Sequence, residues 1–171
     1  MRHSFPTPTA RHVLVVADWS IDPQRVLAEV SRDADVSLVV PAWLHGIDWV
    51  GDPTASVPCA ERQLERLTAL AEHACLTVAH AAVGDPDPLA AIEDAFSAVA
   101  ADEILLFVRR RSLLGLALAG RAQRATGVPV RRIAVEPAEA PRARRPWRRV
   151  GAGHCSAAEV RIGGLVTQTH R

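Results

Sequence analysis

Lysine and tyrosine are both absent from this 171-residue sequence, so all 20 basic residues are arginine. The absence of lysine excludes lysine-based catalysis. Any contact with a phosphate or a carboxylate must then use the planar guanidinium group, which keeps its charge at working pH. Cysteine is scarce and shows no CxxC spacing, so neither a disulfide framework nor a zinc ribbon is predicted. We expect reduced thiols at the three cysteines, Cys59, Cys75 and Cys155.

Long apolar runs are also missing. No segment approaches the roughly 18 apolar residues that a membrane span requires. Residues 1–12 (MRHSFPTPTARH) contain no apolar stretch of the kind found in a signal peptide. We therefore expect a cytoplasmic protein. With 49% hydrophobic and 23% charged residues, the composition is that of a folded globular domain.

The net charge of +1 hides an uneven distribution along the chain. Residues 1–108 contain 6 arginines and 16 acidic residues, whereas residues 109–171 contain 14 arginines and 3 acidic residues. The two parts therefore produce electric fields of opposite sign. Beyond residue 135 the composition shifts to proline and arginine without hydrophobic periodicity. We predict an α/β domain over residues 1–135 and a basic tail over residues 136–171.

Short apolar runs rich in β-branched residues alternate with helical patterns. Strands are predicted at residues 12–17, 36–41, 76–83, 103–108 and 128–135. Because several of these strands are apolar on both faces and alternate with helices, they favour a parallel sheet that is covered on both sides. The prediction is a doubly wound α/β fold.

Turn and cap residues mark where the predicted helices begin and end. Asp22 and Asp87 each precede a proline, and both are predicted to cap a helix. Ser112 is predicted to cap a helix over residues 113–125, and Gly127 to end it. After Asp22, the apolar pattern predicts a helix that continues to about residue 32, with residues 25 and 29 paired at the i,i+4 spacing on its outer face.

The order of elements and three local motifs resemble the universal stress protein family over residues 13–135. The motifs are VLVVADWS at 13–20, GDPDP at 84–88 and GVPV at 127–130. The stretch GDPDPLAAIEDAF, with ADEILL after it, is similar to a divergent actinobacterial branch of small stress-protein-like domains. The resemblance implies a five-stranded parallel sheet with strand order 3-2-1-4-5 and helices on both faces.

One segment departs from the family pattern. ATP-binding members carry a glycine-rich segment, G-x2-G-x9-G-(S/T), after the fourth strand, where backbone N–H groups cradle phosphates. Residues 108–115 read VRRRSLLG here, without glycines at that spacing. ATP binding in the family's mode is therefore not expected, and no cofactor is predicted. Arg109, Arg110, Arg111 and Ser112 are instead predicted to contact a phosphate at the strand switch point. The alternatives are a solvated basic turn or a salt bridge to Asp18.

The turn after the first strand is the second part of this predicted site. The resemblance implies that Asp18 and Ser20 contact the adenine and ribose of a nucleotide. The alternative is that both residues only shape the turn. Trp19, Trp43 and Trp49 follow the first two strands at the same edge, where they either roof a pocket or close the core. No histidine shows metal-ligand spacing, so no metal site is predicted.

These observations predict a universal stress protein-like regulatory or ligand-binding domain of the stress response. A catalytic role is not predicted, because neither a G-x-S-x-G elbow nor a cysteine with a basic partner is present. The expected partners are a small phosphorylated or nucleotide ligand and a second copy, which the resemblance places at the last strand. Arg131 and Arg132 there either repel across a twofold axis or protect a monomer's edge.

The alternative function is a nucleic-acid-associated protein that uses the basic tail. Five arginines and one tryptophan lie within residues 142–149, a combination that nucleic-acid-binding arms use. A tail that is solvated, or that docks on the acidic first part of the same chain, is the interpretation we favour.

Overall fold

Five parallel strands form one sheet in the order β3-β2-β1-β4-β5. The computed structural model describes residues 11–43, 56–110 and 113–136. Strands and helices alternate along the chain, which confirms the doubly wound α/β prediction. The elements are β1 (Arg11–Ala17), α1 (Pro23–Leu27), β2 (Ala34–Pro41), α2 (Val57–His73), β3 (Thr77–Gly84), α3 (Pro88–Ala98), β4 (Glu103–Arg109), α4 (Leu113–Thr126) and β5 (Val130–Val135).

The central strand β1 is buried on both faces, because successive side chains of a strand point to opposite sides of the sheet. Val13 and Val15 belong to the core shared with α1 and α2. Leu14 and Val16 belong to a second core, which α3 and α4 cover. Two cores on opposite faces explain why β1 reads as a continuous apolar run.

The predicted cap residues Asp22, Asp87 and Gly127 lie where the sequence indicated, whereas Ser112 lies outside the described residues. The Asp22 carboxylate accepts a hydrogen bond from the backbone N–H of Gln24 at 3.1 Å. The Asp87 carboxylate accepts one from the backbone N–H of Leu89 at 2.9 Å. Each carboxylate satisfies an N–H group that has no partner within the helix. Gly127 has a φ of +74°, the left-handed conformation that commonly follows a helix end.

Helix α1 is shorter than predicted. It ends at Leu27, and the next residues make tighter i to i−3 hydrogen bonds, from Glu29 N–H to the Val26 carbonyl at 3.3 Å and from Val30 N–H to the Leu27 carbonyl at 3.2 Å. The predicted helix to about residue 32 is therefore wrong beyond this point. The expected i,i+4 pair is also wrong, since Glu29 pairs with Arg131 of β5 at 3.5 Å.

Two other element boundaries have local causes. Helix α2 begins at Val57, and Pro58 is accommodated in its first turn. Strand β5 begins at Val130 rather than at residue 128. Pro129 has no N–H group to donate, and it contributes its carbonyl to the N–H of Ile104 at 2.9 Å.

Two buried polar side chains on or beside α2 fix the carboxyl edge of the sheet. Gln63 donates from Nε2 to the carbonyl of Ile21 at 2.6 Å, which anchors the turn after β1. The hydroxyl of Ser56 donates to the carbonyl of Ala42, just after β2. Because these carbonyls are withdrawn from water, each bond prevents an unsatisfied buried acceptor.

Cys75 is a free, exposed thiol, as expected from the sequence. Cys155 lies outside the described residues. None of the helices in the part of the chain that the structure describes has the length and apolarity required to cross a membrane. Trp49 and the predicted tail beyond Glu136 lie outside the described residues.

Candidate functional site

The strand order brings the carboxyl ends of β1 and β4 together. Ala17 of β1 is opposite Phe107 of β4 in the parallel ladder, and the backbone N–H of Asp18 reaches the Phe107 carbonyl at 3.4 Å. Between β1 and β4 the direction of winding reverses, which is where open α/β sheets usually bind ligands. The candidate site is built on this edge.

Asp18 is the buried carboxylate around which the other side chains of the site are arranged. Only 2% of its side chain is exposed, and Oδ1 accepts two hydrogen bonds from Ser20. The backbone N–H of Ser20 donates at 2.9 Å and its hydroxyl at 2.7 Å. This is the turn chemistry that the sequence offered as an alternative to a ligand role, and it orients both side chains.

Arg109 extends from the end of β4 to this turn. Its Nε donates to the Ser20 hydroxyl oxygen at 2.8 Å and lies 3.7 Å from Asp18 Oδ2. The salt bridge to Asp18, one of the alternatives raised from the sequence, is therefore present. The guanidinium carbon lies 5.9 Å from the centre of the Trp19 ring, within cation–π range.

Part of the Arg109 guanidinium is available to other groups. The side chain is 34% exposed, and only Nε takes part in the contacts to Ser20 and Asp18. Within the described ranges, Nη1 and Nη2 make no hydrogen bond to the protein. These two groups carry the N–H donors of the planar fork that binds a phosphate or a carboxylate in a bidentate manner.

Trp19 and Trp43 connect the ends of β1 and β2. The indole N–H of Trp19 donates to the Trp43 carbonyl at 3.0 Å. Both rings are partly buried, with Trp19 against the core under α1 and α2 and Trp43 against the core under α3 and α4. The two tryptophans therefore close the core, and Trp19 also presents its ring to Arg109.

The other predicted phosphate ligands do not join Arg109. Arg110 donates from its backbone to the Val135 carbonyl at 2.9 Å, and its exposed side chain pairs with Glu136 at 3.2 Å. The structure therefore brings together Asp18, Ser20 and Arg109, and places Arg110 towards the end of β5. Arg111 and Ser112 lie outside the described residues.

Gly115 lets the first turn of α4 approach the end of β4 closely. A methyl group at this position would lie 2.9 Å from Cγ2 of Val108, which is shorter than van der Waals contact allows. The glycine therefore serves close packing of helix on strand, directly beside the candidate site. This steric role does not depend on the glycine spacing that the ATP-binding members of the family carry.

Two cavities bordered by described residues lie near the carboxyl edge of the sheet. One of about 190 Å³ is bordered by Trp43, Asp87 and α4 residues that include Arg121. The other, of about 380 Å³, lies between α1 and the end of β5 and is bordered by charged groups that include Arg110. Neither cavity is lined by Asp18, Ser20 or Arg109.

The arrangement is suited to binding. A guanidinium fork beside an aromatic ring can hold an anionic group and a planar group together. The Ser20 hydroxyl donates to a carboxylate and accepts from Arg109, so its two contacts orient it. Among the residues described, no group of three or more His, Cys, Asp or Glu side chains could hold a metal ion.

Sequence reasoning missed two groups that support the site. Gln63 lies within the apolar stripe of α2, and no local pattern distinguishes it from a surface glutamine. The carbonyl of Trp43, which accepts from Trp19, is a backbone group that sequence cannot single out. Both contacts depend on how α2 and the strand ends pack.

Solved structures share this architecture. A universal stress protein family protein from Burkholderia pseudomallei is 19% identical with a TM-score of 0.55, over 76% of this chain and all 100% of that one. An Arabidopsis thaliana member with AMP bound is 14% identical with a TM-score of 0.51, over 72% of this chain and 91% of that one. The chain has the fold of the universal stress proteins. A further universal stress protein, in complex with cAMP, is 14% identical with a TM-score of 0.49, over 73% of this chain and 98% of that one.

The universal stress protein fold confirms the strand order that the resemblance implied from residues 13–135. The sequence itself matches no protein-family model and no curated protein. At identities of 19% and below, the likeness lies in the backbone.

Proposed function

We propose that this chain is a non-catalytic regulatory domain that binds a small phosphorylated ligand, of the nucleoside monophosphate class, at the edge between β1 and β4. Asp18 and Ser20 hold Arg109 in position, and the outer nitrogens of Arg109 contact the phosphate. A second copy of the chain completes the functional unit as a homodimer.

The main support for the proposal is that only one nitrogen of the Arg109 guanidinium, Nε, contacts Ser20 and Asp18. Nε is held by Ser20 at 2.8 Å and lies near the buried Asp18, which fixes the plane of the group. The Arg109 side chain is 34% exposed, which leaves its remaining donors available to a ligand. An arginine whose orientation is already fixed loses less conformational entropy when it binds an anion.

We favour a monophosphate over a triphosphate because this edge of the sheet lacks a glycine-rich segment. A triphosphate needs several backbone donors at close approach, and glycines allow that approach. Residues 108–115 carry no glycine before Gly115, whose position is taken up by packing on Val108. One phosphate, in contrast, can be satisfied by one guanidinium fork. The similar Arabidopsis protein is described with AMP bound, which favours the same ligand class here.

The contacts of Ser20 favour a site that binds a ligand without converting it. Ser20 is hydrogen-bonded to a carboxylate and a guanidinium, and in the part of the chain that the structure describes its hydroxyl contacts no histidine of the kind that activates a catalytic serine. We therefore infer that the ligand regulates the protein's interactions rather than being converted.

Titration calorimetry with AMP tests the proposal. We expect a dissociation constant on the order of 100 μM for the unmodified protein, a value typical of a small site with few contacts. Arg109→Lys keeps a positive charge near Asp18 but removes the planar fork, so the affinity for AMP should fall about tenfold. Arg110→Lys is the matched control, because Arg110 pairs with Glu136 instead.

Equal affinities of the two variants would contradict a role for Arg109. If the unmodified protein bound AMP no better than adenosine, the phosphate contact itself would be rejected. Release of product from AMP or ATP during prolonged incubation would overturn the non-catalytic assignment.

A further inference from the structure

Strand β3 forms an open edge of the sheet. Within the described residues it pairs only with β2, so the outer row of its backbone N–H and C=O groups has no strand partner there. Its eight residues, TVAHAAVG, include no aspartate, glutamate, arginine or proline. Thr77, Ala79 and Ala81 are exposed, and their small side chains let another segment approach. Proteins usually cover or blunt such an edge, because it pairs readily with other chains.

The second copy that the family resemblance implies would not cover this edge. The resemblance places that copy at the last strand, and β5 lies at the opposite end of the order β3-β2-β1-β4-β5. A cover for β3 therefore has to come from another protein or from another part of this chain. Residues 137–171, which follow the last described residue, Glu136, are the part of the chain to consider.

The charges beside β3 are of one sign. Residues 77–98, which comprise β3, the following turn and α3, contain four acidic residues and no arginine. The four are exposed: Asp85, Asp87, Glu93 and Asp94. Residues 113–135, which comprise α4 and β5, contain four arginines and no acidic residue. The β3 side of the domain therefore attracts a basic segment, whereas the β5 side repels it.

The tail has the two features that this edge requires. Its first part carries five arginines within residues 142–149. Its last part contains residues 160–167, VRIGGLVT, in which apolar and β-branched residues lie on either side of two glycines. Such a composition favours extended backbone that can pair with a strand. One part of the tail thus matches the acidic surface, and the other matches the open backbone of β3.

The tail is long enough to reach β3. Four strand spacings of about 4.8 Å separate β5 from β3, roughly 19 Å in all. Residues 137–159 span up to about 75 Å when they are extended. Because all five strands are parallel, β5 and β3 end at the same edge of the sheet. A chain that leaves β5 therefore meets the acidic turn at Asp85 and Asp87 where β3 ends.

We propose that residues 160–167 dock on the open edge of β3 as an additional strand, while the arginines of residues 142–149 contact the acidic residues of the following turn and α3. A segment that arrives at the carboxyl end of β3 and runs back along it pairs in the antiparallel direction. The two contacts support each other, because the arginines hold the apolar run near β3. The chain then closes one edge of its own sheet and leaves β5 available to a second copy.

The length of the linker sets the expected occupancy. A flexible linker of this kind gives the tethered segment an effective concentration in the millimolar range, about 1 mM. A strand contact with a dissociation constant on the order of 0.2 mM between separate molecules is then docked about five times as often as it is free. The β3 amides that face the open edge should therefore exchange about fivefold more slowly than in a chain whose tail cannot dock.

A matched pair of full-length variants tests the docking without a change in the domain. Ile162→Pro with Val166→Pro removes two backbone N–H donors from the run and opposes its pairing with a strand. Ala152→Pro with Ala157→Pro places the same number of prolines in the linker. Hydrogen exchange with mass spectrometry should show that the first variant loses the protection of residues 77–84 and that the second keeps it. The amides of β1 provide the internal reference.

A second pair of variants tests the acidic surface. Glu93→Gln with Asp94→Asn removes two charges from α3 and should reduce the protection of β3 about threefold. Glu61→Gln with Glu65→Gln is the control on α2, the other helix that packs on β3. Helix α2 carries arginines between its glutamates, so this control should leave the protection of β3 unchanged.

The exchange of residues 77–84 also decides against the proposal if it is wrong. Protection that rises between about 1 and 100 μM protein would show that a second molecule covers β3, and would overturn the assignment to the tail. Equal exchange in the unmodified protein and in Ile162→Pro with Val166→Pro would overturn it as well. So would a loss of protection at β5 in place of β3. Protection that is independent of concentration and is lost with the first pair alone supports it.

Discussion

Arg109 donates from Nε to the Ser20 hydroxyl at 2.8 Å, although 89 positions separate the two residues in the chain. The bond exists because β1 and β4 are neighbours in the sheet and both end at the same edge. The same contact brings Arg109 to 3.7 Å from the buried Asp18 carboxylate. The site is therefore part of the structure that holds the two strand ends together.

Loss of Arg109 should lower the stability of the fold. In Arg109→Ala, Ser20 loses a donor and the buried Asp18 loses the nearby positive charge, so we expect the free energy of unfolding to fall by about 1–3 kcal/mol. Urea denaturation measures this. Arg110→Ala removes an exposed ion pair, 70% and 67% exposed on its two sides, and should change stability by about 0–1 kcal/mol. Equal losses in the two variants would contradict the coupling to Asp18.

Substitution by alanine at two glycines of α4 should change the stability of the protein in opposite directions. At Gly115 an added methyl group would lie 2.9 Å from Val108, so Gly115→Ala should destabilise the protein by about 1–2 kcal/mol. At Gly120 the nearest atom would be 3.6 Å away, at the flexible end of Arg124. There Gly120→Ala should stabilise the helix by about 0.5–1 kcal/mol.

Thermal or urea unfolding of these two variants measures the expected loss of stability at Gly115 and the expected gain at Gly120. The pair is matched, since both changes add one methyl group to the same helix. A gain in stability at Gly115 would show that α4 can move away from β4, and would remove the steric role assigned to that glycine.

The fold could be predicted from sequence where the determining forces are local. β-Branched apolar runs and the caps at Asp22 and Asp87 indicate their elements without tertiary information. The length of α1 could not be predicted in this way. Its pattern continues past Leu27, but Glu29 contacts Arg131 of β5, a partner 102 positions away. A contact across the sheet replaced the local pair that the helical spacing suggested.

The candidate site, too, could be predicted only in part. The position of Asp18 and Arg109 at one edge follows from strand order, which the resemblance implied. Which of the neighbouring arginines turns towards Asp18 depends on the alternation of side chains at the end of β4 and on the competing Glu136. Sequence spacing treats Arg109 and Arg110 alike, and the geometry separates them.

ATP should bind more weakly than AMP, or without a measurable signal. The additional phosphates of ATP find no glycine-lined backbone donors between Val108 and Gly115, and arginine side chains do not reproduce donors at that close approach. Calorimetry with both nucleotides under one set of conditions makes the comparison. An ATP dissociation constant in the low micromolar range, about −8 kcal/mol, that is lost when Arg109 to Arg111 are replaced by alanine would show that arginines can replace the glycine segment.

The basic tail should contribute little to stability or to nucleic-acid binding. Five arginines lie within residues 142–149, and the acidic excess of residues 1–108 provides carboxylates in the same molecule. A partner in the same chain has a high effective concentration, so it should compete with an external phosphate backbone. Each exposed pair contributes only about 0–1 kcal/mol and is weakened by salt.

The full-length protein and a truncated chain ending at Val135 should therefore melt within a few degrees of each other, about 2–4 °C for a difference near 1 kcal/mol in a domain of this size. Both should retain negligible DNA or RNA at physiological salt. Electrophoretic mobility shifts at several salt concentrations provide the measurement, because phosphate contacts by arginine make affinity fall steeply with salt. Nanomolar binding of a duplex by the full-length protein, with a steep salt dependence that the truncated chain lacks, would favour the nucleic-acid function over ligand binding. We expect negligible retention of DNA or RNA, because the acidic excess of residues 1–108 repels the same phosphates that the tail attracts.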